Sequence, residues 1–303
     1  MSLGLSHDSP LAIVGCGTIG ASWAAYFLSR GLPVVVYHHG DQPEGEVLER
    51  IAAHFPSLGS PVREPRICHD LEEAVADSPL ILECAPENVT LKRQLIAEIQ
   101  AYAGSGAIIA SNTSSLTHSD LTLGVASPDR VVIAHPYNPP HLVPLVEIFG
   151  VDDSICHAVK TFYASQGKSP VVLNKEMVGH LANRLSSALW REALYLLQEG
   201  VASVEDIDRA ITDGPGLRWA INGPFLTYHL GGGSGGIRQY LANLGESQVY
   251  RWNSLGTPKV DDALMARIIE GVESAYGDDS IDEHFRRRDR QLTSLLKIRP
   301  PVD

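Results

Sequence analysis

Short, continuous apolar runs alternate with helical patterns through the first half of the chain. Leu11–Gly15 (LAIVG), Pro33–Tyr37 (PVVVY), Leu80–Cys84 (LILEC), Ala107–Ser111 (AIIAS), Val131–His135 (VVIAH), Leu145–Phe149 (LVEIF) and Val171–Leu173 read as strands, and residues 18–30 as a helix ending at Gly31. Strands that are apolar at every position are buried on both faces, the habit of a mostly parallel sheet covered by helices. Near residue 176 the pattern changes. Residues 179–199 form one long helical stretch stopped by Gly200, and Ser203 with Asp206 behind it marks the next helix start. From there to about residue 297 the periodicity is helical. The pattern predicts an α/β domain over residues 1–176 followed by an all-α domain over 177–303. Gly231–Gly236 (GGGSGG) follows no strand and has no lysine behind it, so it reads as a mobile loop that could border a site, not as a phosphate loop.

One turn carries more than fold information. Gly15-Cys16-Gly17-Thr18-Ile19-Gly20 is G-x-G-x-x-G at the end of the first strand and the start of the first helix. Gly15 permits the turn, Gly17 lets the backbone approach a diphosphate, and Gly20 lets helix and strand pack closely. The diphosphate sits on the helix amides, beginning with Thr18 and Ile19. This context makes the first domain Rossmann-type and implies a nicotinamide dinucleotide. The second strand should end in an acid that grips the adenosine ribose, but His38 stands there. An imidazole accepts one hydrogen bond and does not repel a 2′-phosphate. NAD is the cofactor expected, with NADP left open.

Two further strand ends carry reactive side chains. His135-Pro136-Tyr137-Asn138 follows a predicted strand on the edge where α/β sheets bind ligands, and Glu147 interrupts the apolar run after it. A carboxylate in a buried strand needs a donor, and His135 is the natural one: an acid behind an imidazole fixes its tautomer and steadies the imidazolium. A purely structural pair fits the spacing equally well. Ser111–Ser115 (SNTSS) could cap a turn or meet a ligand. Asn183, early in the long helix, is either a satisfied interior amide or a substrate contact.

Charge narrows the partners. With 24 Lys+Arg against 36 Asp+Glu, the net charge of −12 speaks against nucleic acid or an anionic membrane, but not against a small anionic substrate. Residues 1–10 lack the features of a signal peptide, and no stretch has the length of a membrane span, so a cytoplasmic enzyme is expected. Cys16, Cys68, Cys84 and Cys156 form no C-x-x-C pair and read as reduced structural thiols, with no metal site.

Together the segments GCGTIG, ECAPENVTLK (83–92), SNTSSL (111–116), HPYNPPHLVPLVE (135–147), NRL (183–185), EGVASVEDID (199–208) and GPF (223–225) resemble the L-3-hydroxyacyl-CoA dehydrogenase superfamily along nearly the whole chain. The resemblance implies that His135 is the general base and Glu147 its orienting carboxylate. It places Ser114 and Asn183 on the reacting oxygen, and Glu87, Lys92 and Asn138 near the cofactor's ribose and nicotinamide. It also implies a homodimer formed through the helical domain.

Two departures narrow the substrate. Acyl-CoA enzymes of the superfamily carry a long lysine-bearing arm after the second strand, whereas residues 40–69 here are short, broken by Pro43, Pro56, Pro61 and Pro65, and contain no lysine. Gly216-Leu217-Arg218-Trp219 and the tail segment HFRRRD (284–289) are similar to the branch of L-gulonate 3-dehydrogenase (the lambda-crystallin type) and L-carnitine dehydrogenase. A small free L-3-hydroxy acid is therefore expected, its carboxylate clamped by Arg218 unless Arg218 pairs with Asp213. Trp190, Trp219 and Tyr228 could face a quaternary ammonium or simply pack between helices. The alternatives are a 3-hydroxybutyryl-CoA dehydrogenase and a catalytically silent NADH-binding structural protein.

Overall fold

The structure, a computed structural model, describes residues 9–40 and 42–298; most of the N-terminal segment read for a leader lies outside them. Eight strands form one sheet: β1 (Leu11–Val14), β2 (Val34–Tyr37), β3 (Arg66–Cys68), β4 (Leu80–Glu83), β5 (Ile108–Ser111), β6 (Val131–Pro136), β7 (Leu145–Phe149) and β8 (Ser169–Val172), in the order β3-β2-β1-β4-β5-β6-β7-β8. Neighbours run parallel except β6 and β7, which are antiparallel. Strand order reverses at β1, with β2 and β3 on one side and β4 onward on the other, so a crevice opens beyond its carboxyl end.

Both faces of the sheet are covered, which is why its strands read as unbroken apolar runs. Leu11, Ile13, Leu80, Leu82, Val132 and Ala134 face one core with the helix Thr18–Ser29. Ala12, Val14, Ile81, Ile109 and Ile133 face another with Ile96 and Ile99 of the helix Val89–Tyr102. Trp23 and Phe27, a turn apart on the first helix, stack at 5.1 Å and are wholly buried. Each large apolar side chain so buried contributes about 1.5–3 kcal/mol.

The chain packs as two units. The first holds the sheet, extends to Arg184, and takes in the chain again from Asp289; the second is Leu185–Arg288. The second unit is helical throughout, and among the described residues no strand follows Val172. Periodicity alone set a boundary at 176, where strands give way to helices, but the opening of the helix Ala182–Gln198 still belongs with the sheet.

Three local features differ from the sequence pattern. β3 is a three-residue edge strand behind Pro65, too short and too polar to show as an apolar run. β8 starts two residues ahead of the predicted Val171 because Ser169 and Pro170 pair with Leu145 and Val146. The glycine run is not an open loop: Gly233–Gly235 is a single 3-10 turn between the helices Pro224–Gly231 and Gly236–Ser254. A Cβ on Gly232 would stand 1.7 Å from the Gly236 carbonyl oxygen, so the glycines serve close approach of two helix ends. Ser203 caps its helix as expected, accepting from the Asp206 amide.

Candidate active site

The turn after β1 is built to receive a dinucleotide. Gly15 has φ +97°, and a Cβ there would lie 2.7 Å from the Cys84 carbonyl carbon; a Cβ on Gly20 would lie 2.0 Å from the Gly15 oxygen. At Gly17 a Cβ would meet nothing within 4 Å, and no side chain caps the helix that begins at Thr18. Open space in front of uncapped helix amides fits a diphosphate. Burial pushes the Cys16 thiol up to about 12, so this cysteine is an inert spacer in the turn. His38, at the end of β2, is buried and donates Nε2–H to the Gln42 carbonyl at 2.7 Å, leaving Nδ1 as its acceptor. Arg50, which the sequence reading passed over, donates to the Cys16 carbonyl at 2.8 Å and to Gln42 Oε1 at 3.0 Å, bracing the turn.

Lys92 is not presented to a ligand. Its ammonium is 1% exposed and bonds Glu83 Oε1 at 2.8 Å, Glu83 Oε2 at 3.0 Å and the Ala85 carbonyl at 2.9 Å. Glu83 in turn accepts from Ser111 Oγ on the neighbouring strand and from the Ala85 amide. Three acceptors satisfy the three ammonium protons. Glu87, half exposed beside them, gathers the next turn: Oε1 accepts from Thr113 Oγ1 at 2.6 Å and from the Ser114 and Ser115 amides at 3.0 and 2.9 Å. Burial pushes its carboxyl up, but the Thr113 hydroxyl, the Lys92 charge and these amides outweigh it and hold Glu87 below the usual carboxylate range.

The antiparallel register of β6 and β7 sets His135 directly opposite Glu147, so both side chains leave the same face of the sheet. His135 Nδ1 lies 2.9 Å from Glu147 Oε2, with both residues buried. A carboxylate only accepts, so Nδ1 carries the proton and Nε2 is left with its lone pair. The other Glu147 oxygen accepts from the Leu181 and Ala182 amides, at 2.7 and 3.0 Å, where the helix Ala182–Gln198 begins. Burial pushes Glu147 up, but the His135 bond and the two amides hold its carboxyl below the ordinary value. Asn183 Nδ2 stands 3.5 Å from His135 Nε2 and donates to the Ser114 carbonyl at 3.0 Å. His135 and Asn183 line a cavity of about 380 Å³ together with Ile19, Asn112, Ser114, Pro136, Tyr137 and Asn138, and Glu147 lies behind His135.

Residues 10–177 match the NAD binding domain of 3-hydroxyacyl-CoA dehydrogenase, and residues 179–271 match the C-terminal domain of the same enzyme. The chain belongs to the 3-hydroxyacyl-CoA dehydrogenase family. It is 41% identical over 297 residues to the L-carnitine dehydrogenase of Streptomyces griseus, covering 95% of this chain and 89% of that protein. The L-carnitine dehydrogenase of Nocardiopsis dassonvillei is 39% identical over 303 residues, 97% of this chain and 92% of that one. Among solved structures, 5-formyl-3-hydroxy-2-methylpyridine 4-carboxylic acid 5-dehydrogenase, an NAD+-dependent dismutase, superposes with a TM-score of 0.80 at 25% identity, covering 96% of this chain and 98% of that chain.

Membership of the 3-hydroxyacyl-CoA dehydrogenase family makes the chain an oxidoreductase whose cofactor is NAD. The structure brings His135, Glu147, Ser114, Asn183, Asn138 and Ile19 to one cavity or its wall, with Glu87 behind the Ser114 turn. Arg218 belongs to the second unit, exposed at the end of a short helix, and forms no ion pair with Asp213. Besides Arg50, the sequence pattern gives little sign of two further residues. Glu83 looked like the end of an apolar strand, and its acid gave no signal of its own. His180 precedes the long helix at φ +52°, buried, with its ring centroid 4.9 Å from that of His135. A histidine beside Gly179 was the only hint of it.

Proposed function

We propose that this chain is an NAD-dependent dehydrogenase of a small L-3-hydroxy acid, with L-carnitine as its substrate and His135 as its general acid and base. The observation that carries the chemistry is the His135 imidazole, its Nδ1 2.9 Å from Glu147 Oε2 and the residue itself on the wall of the cavity. The substrate is inferred from the L-carnitine dehydrogenases that match this chain over nearly its whole length. Tyr137 adds an aromatic ring to the cavity wall, a surface that attracts a quaternary ammonium.

In oxidation, Nε2 of His135 takes the proton of the 3-hydroxyl while the Asn183 amide and the Ser114 hydroxyl hold that oxygen. The Glu147 carboxylate steadies the imidazolium that forms, and its bonds to Leu181 and Ala182 keep it from swinging. In reduction the imidazolium returns the proton to the 3-keto oxygen. The amides that follow Gly17 would hold NAD, with His38 toward the adenosine end and Glu87 and Asn138 toward the nicotinamide, and the cofactor would supply the hydride acceptor. Lys92 acts through Glu83. Arg218 is the cation proposed for the substrate carboxylate. All four cysteines are free, as in a cytoplasmic protein. The second unit exposes Ile221, Phe225, Tyr250 and Trp252, each by more than 60%, which supports a homodimer.

The test is a spectrophotometric screen of L-carnitine, L-gulonate, 3-hydroxybutyrate and 3-hydroxybutyryl-CoA with NAD and NADP. L-carnitine with NAD should give the highest kcat/KM, and His135→Gln should lower kcat roughly 10²–10⁴-fold with NADH affinity kept. Preferential turnover of the CoA thioester would replace the substrate reading. A His135→Gln variant that keeps more than about a tenth of kcat would remove His135 as the base.

A further inference from the structure

We propose that His180 is a positioning residue for the proton transfer at His135, because it ties the turn that carries Ser114 to the wall of the base. The inference rests on the reading of His135 as the base. Among the described residues His180 is the single non-glycine with positive φ, and Gly179 before it is also left-handed at φ +73°. An L-residue in that region gives up roughly 1–2 kcal/mol, and such strain persists where its surroundings require it.

Three contacts meet at this residue. Its ring packs against His135 at an interplanar angle of 42°. Its Nε2 lies 3.1 Å from the Thr113 carbonyl oxygen. The backbone turn it makes sends the next two amides, Leu181 and Ala182, to Glu147 Oε1. The base, the carboxylate behind it and the Thr113–Ser115 turn are therefore fixed to one another through His180. A carbonyl oxygen only accepts, so His180 carries its proton on Nε2.

The reason for a histidine follows from this arrangement. An apolar ring would fill the same space without burying a polar group, and burial of imidazole costs stability unless a partner takes its N–H. The Thr113 carbonyl is that partner, and the bond holds the 113–115 turn at the depth that lets Asn183 donate to Ser114. The titratable groups around His180 are His135 on β6, Glu147 on β7 and Glu87 ahead of the helix Val89–Tyr102, with Lys92 3.7 Å from Glu87. Burial, joined by His135, pulls the His180 pKa below 6.5 against the pull of the Thr113 bond and the two carboxylates. A neutral ring beside His135 adds no repulsion when His135 gains its proton.

Three variants of the full chain separate the hydrogen bond from packing and strain. His180→Phe keeps a ring without the donor. His180→Asn suits a left-handed backbone, but its amide nitrogen corresponds to ring Nδ1 and falls short of Thr113. His180→Gln places an amide nitrogen where ring Nε2 stands. The Phe and Asn variants should lose about tenfold or more in kcat, and Gln should return to within about threefold of wild type. NADH affinity, titrated by fluorescence, should stay within about twofold in all three. Amide hydrogen exchange at residues 114–116 should speed up in the Phe and Asn variants and slow again with Gln, a readout that does not pass through turnover. Wild-type kcat and exchange in either Phe or Asn would overturn the inference, as would a Gln variant as impaired as Phe. His135→Gln, assayed alongside, tells the two failures apart. Loss of activity there with unimpaired His180 variants sinks the role of His180 alone, and an active His135→Gln removes both readings.

Discussion

A carboxylate inside a sheet stays ionised only if donors surround it, and Glu147 has three: the His135 ring and the amides of Leu181 and Ala182. Its folded pKa is depressed below the ordinary value of 4.5, so the stability it contributes is fully present above that pH and is lost as the pH falls through the folded value. Glu147→Gln should accordingly unfold at a lower temperature than wild type near about pH 7, with the gap closing as the medium is taken below about pH 4. The same variant should lower kcat roughly 10–10³-fold, because a neutral amide can accept from Nδ1–H but does not steady the imidazolium. A constant gap across that pH range would mean that the carboxylate charge does not matter to the fold. Residues of this kind were legible in the sequence in proportion to how badly they fit their surroundings. An acid in LVEIF demanded a partner, and the helices and strands left His135 as the candidate. For Lys92 the family resemblance implied a place beside the cofactor, whereas Glu83, hidden at the end of LILEC, takes up its charge.

At the level of elements, that buried pair joins β4 to the helix Val89–Tyr102 and, through Ser111, to β5. Removing the cation alone leaves a carboxylate without charge compensation in the interior, at a cost of about 3–5 kcal/mol. Lys92→Met should destabilise the chain by that amount in denaturant titrations, and adding Glu83→Gln should restore part of the loss. If the double variant is as unstable as the sum of the two singles, the two side chains are not coupled. Strands in the body of the sheet were readable because both of their faces are covered. β3 was not, since an edge strand of three residues between prolines and polar groups needs little apolar surface. The glycine run misled for a related reason: composition reports the conformational freedom of glycine, and the fold uses its lack of a side chain instead.

On the scale of the whole molecule, the two units differ in how well each covers its own apolar surface. The sheet unit buries the aliphatic residues of β1, β2, β4, β5 and β6, whereas Leu217, Ile221, Phe225, Trp252 and their neighbours in the helical unit remain exposed. Surfaces of that kind are typical of subunits that persist as dimers. Light scattering should give twice the mass of one chain down to about micromolar concentration. A single-chain mass throughout would mean that these residues are covered in some other way. The residues that do chemistry are distributed quite differently. Both members of the proposed acid–base pair lie on one antiparallel hairpin, residues 131–149, and face each other because of its pairing alone. That stretch is a portable cassette. A chimera that exchanges it whole between relatives inherits the pair intact, whatever the rest of the scaffold contributes to substrate choice. The amides of Leu181 and Ala182 do not travel with it, so a transplanted hairpin would depend on its new host to hold the carboxylate still.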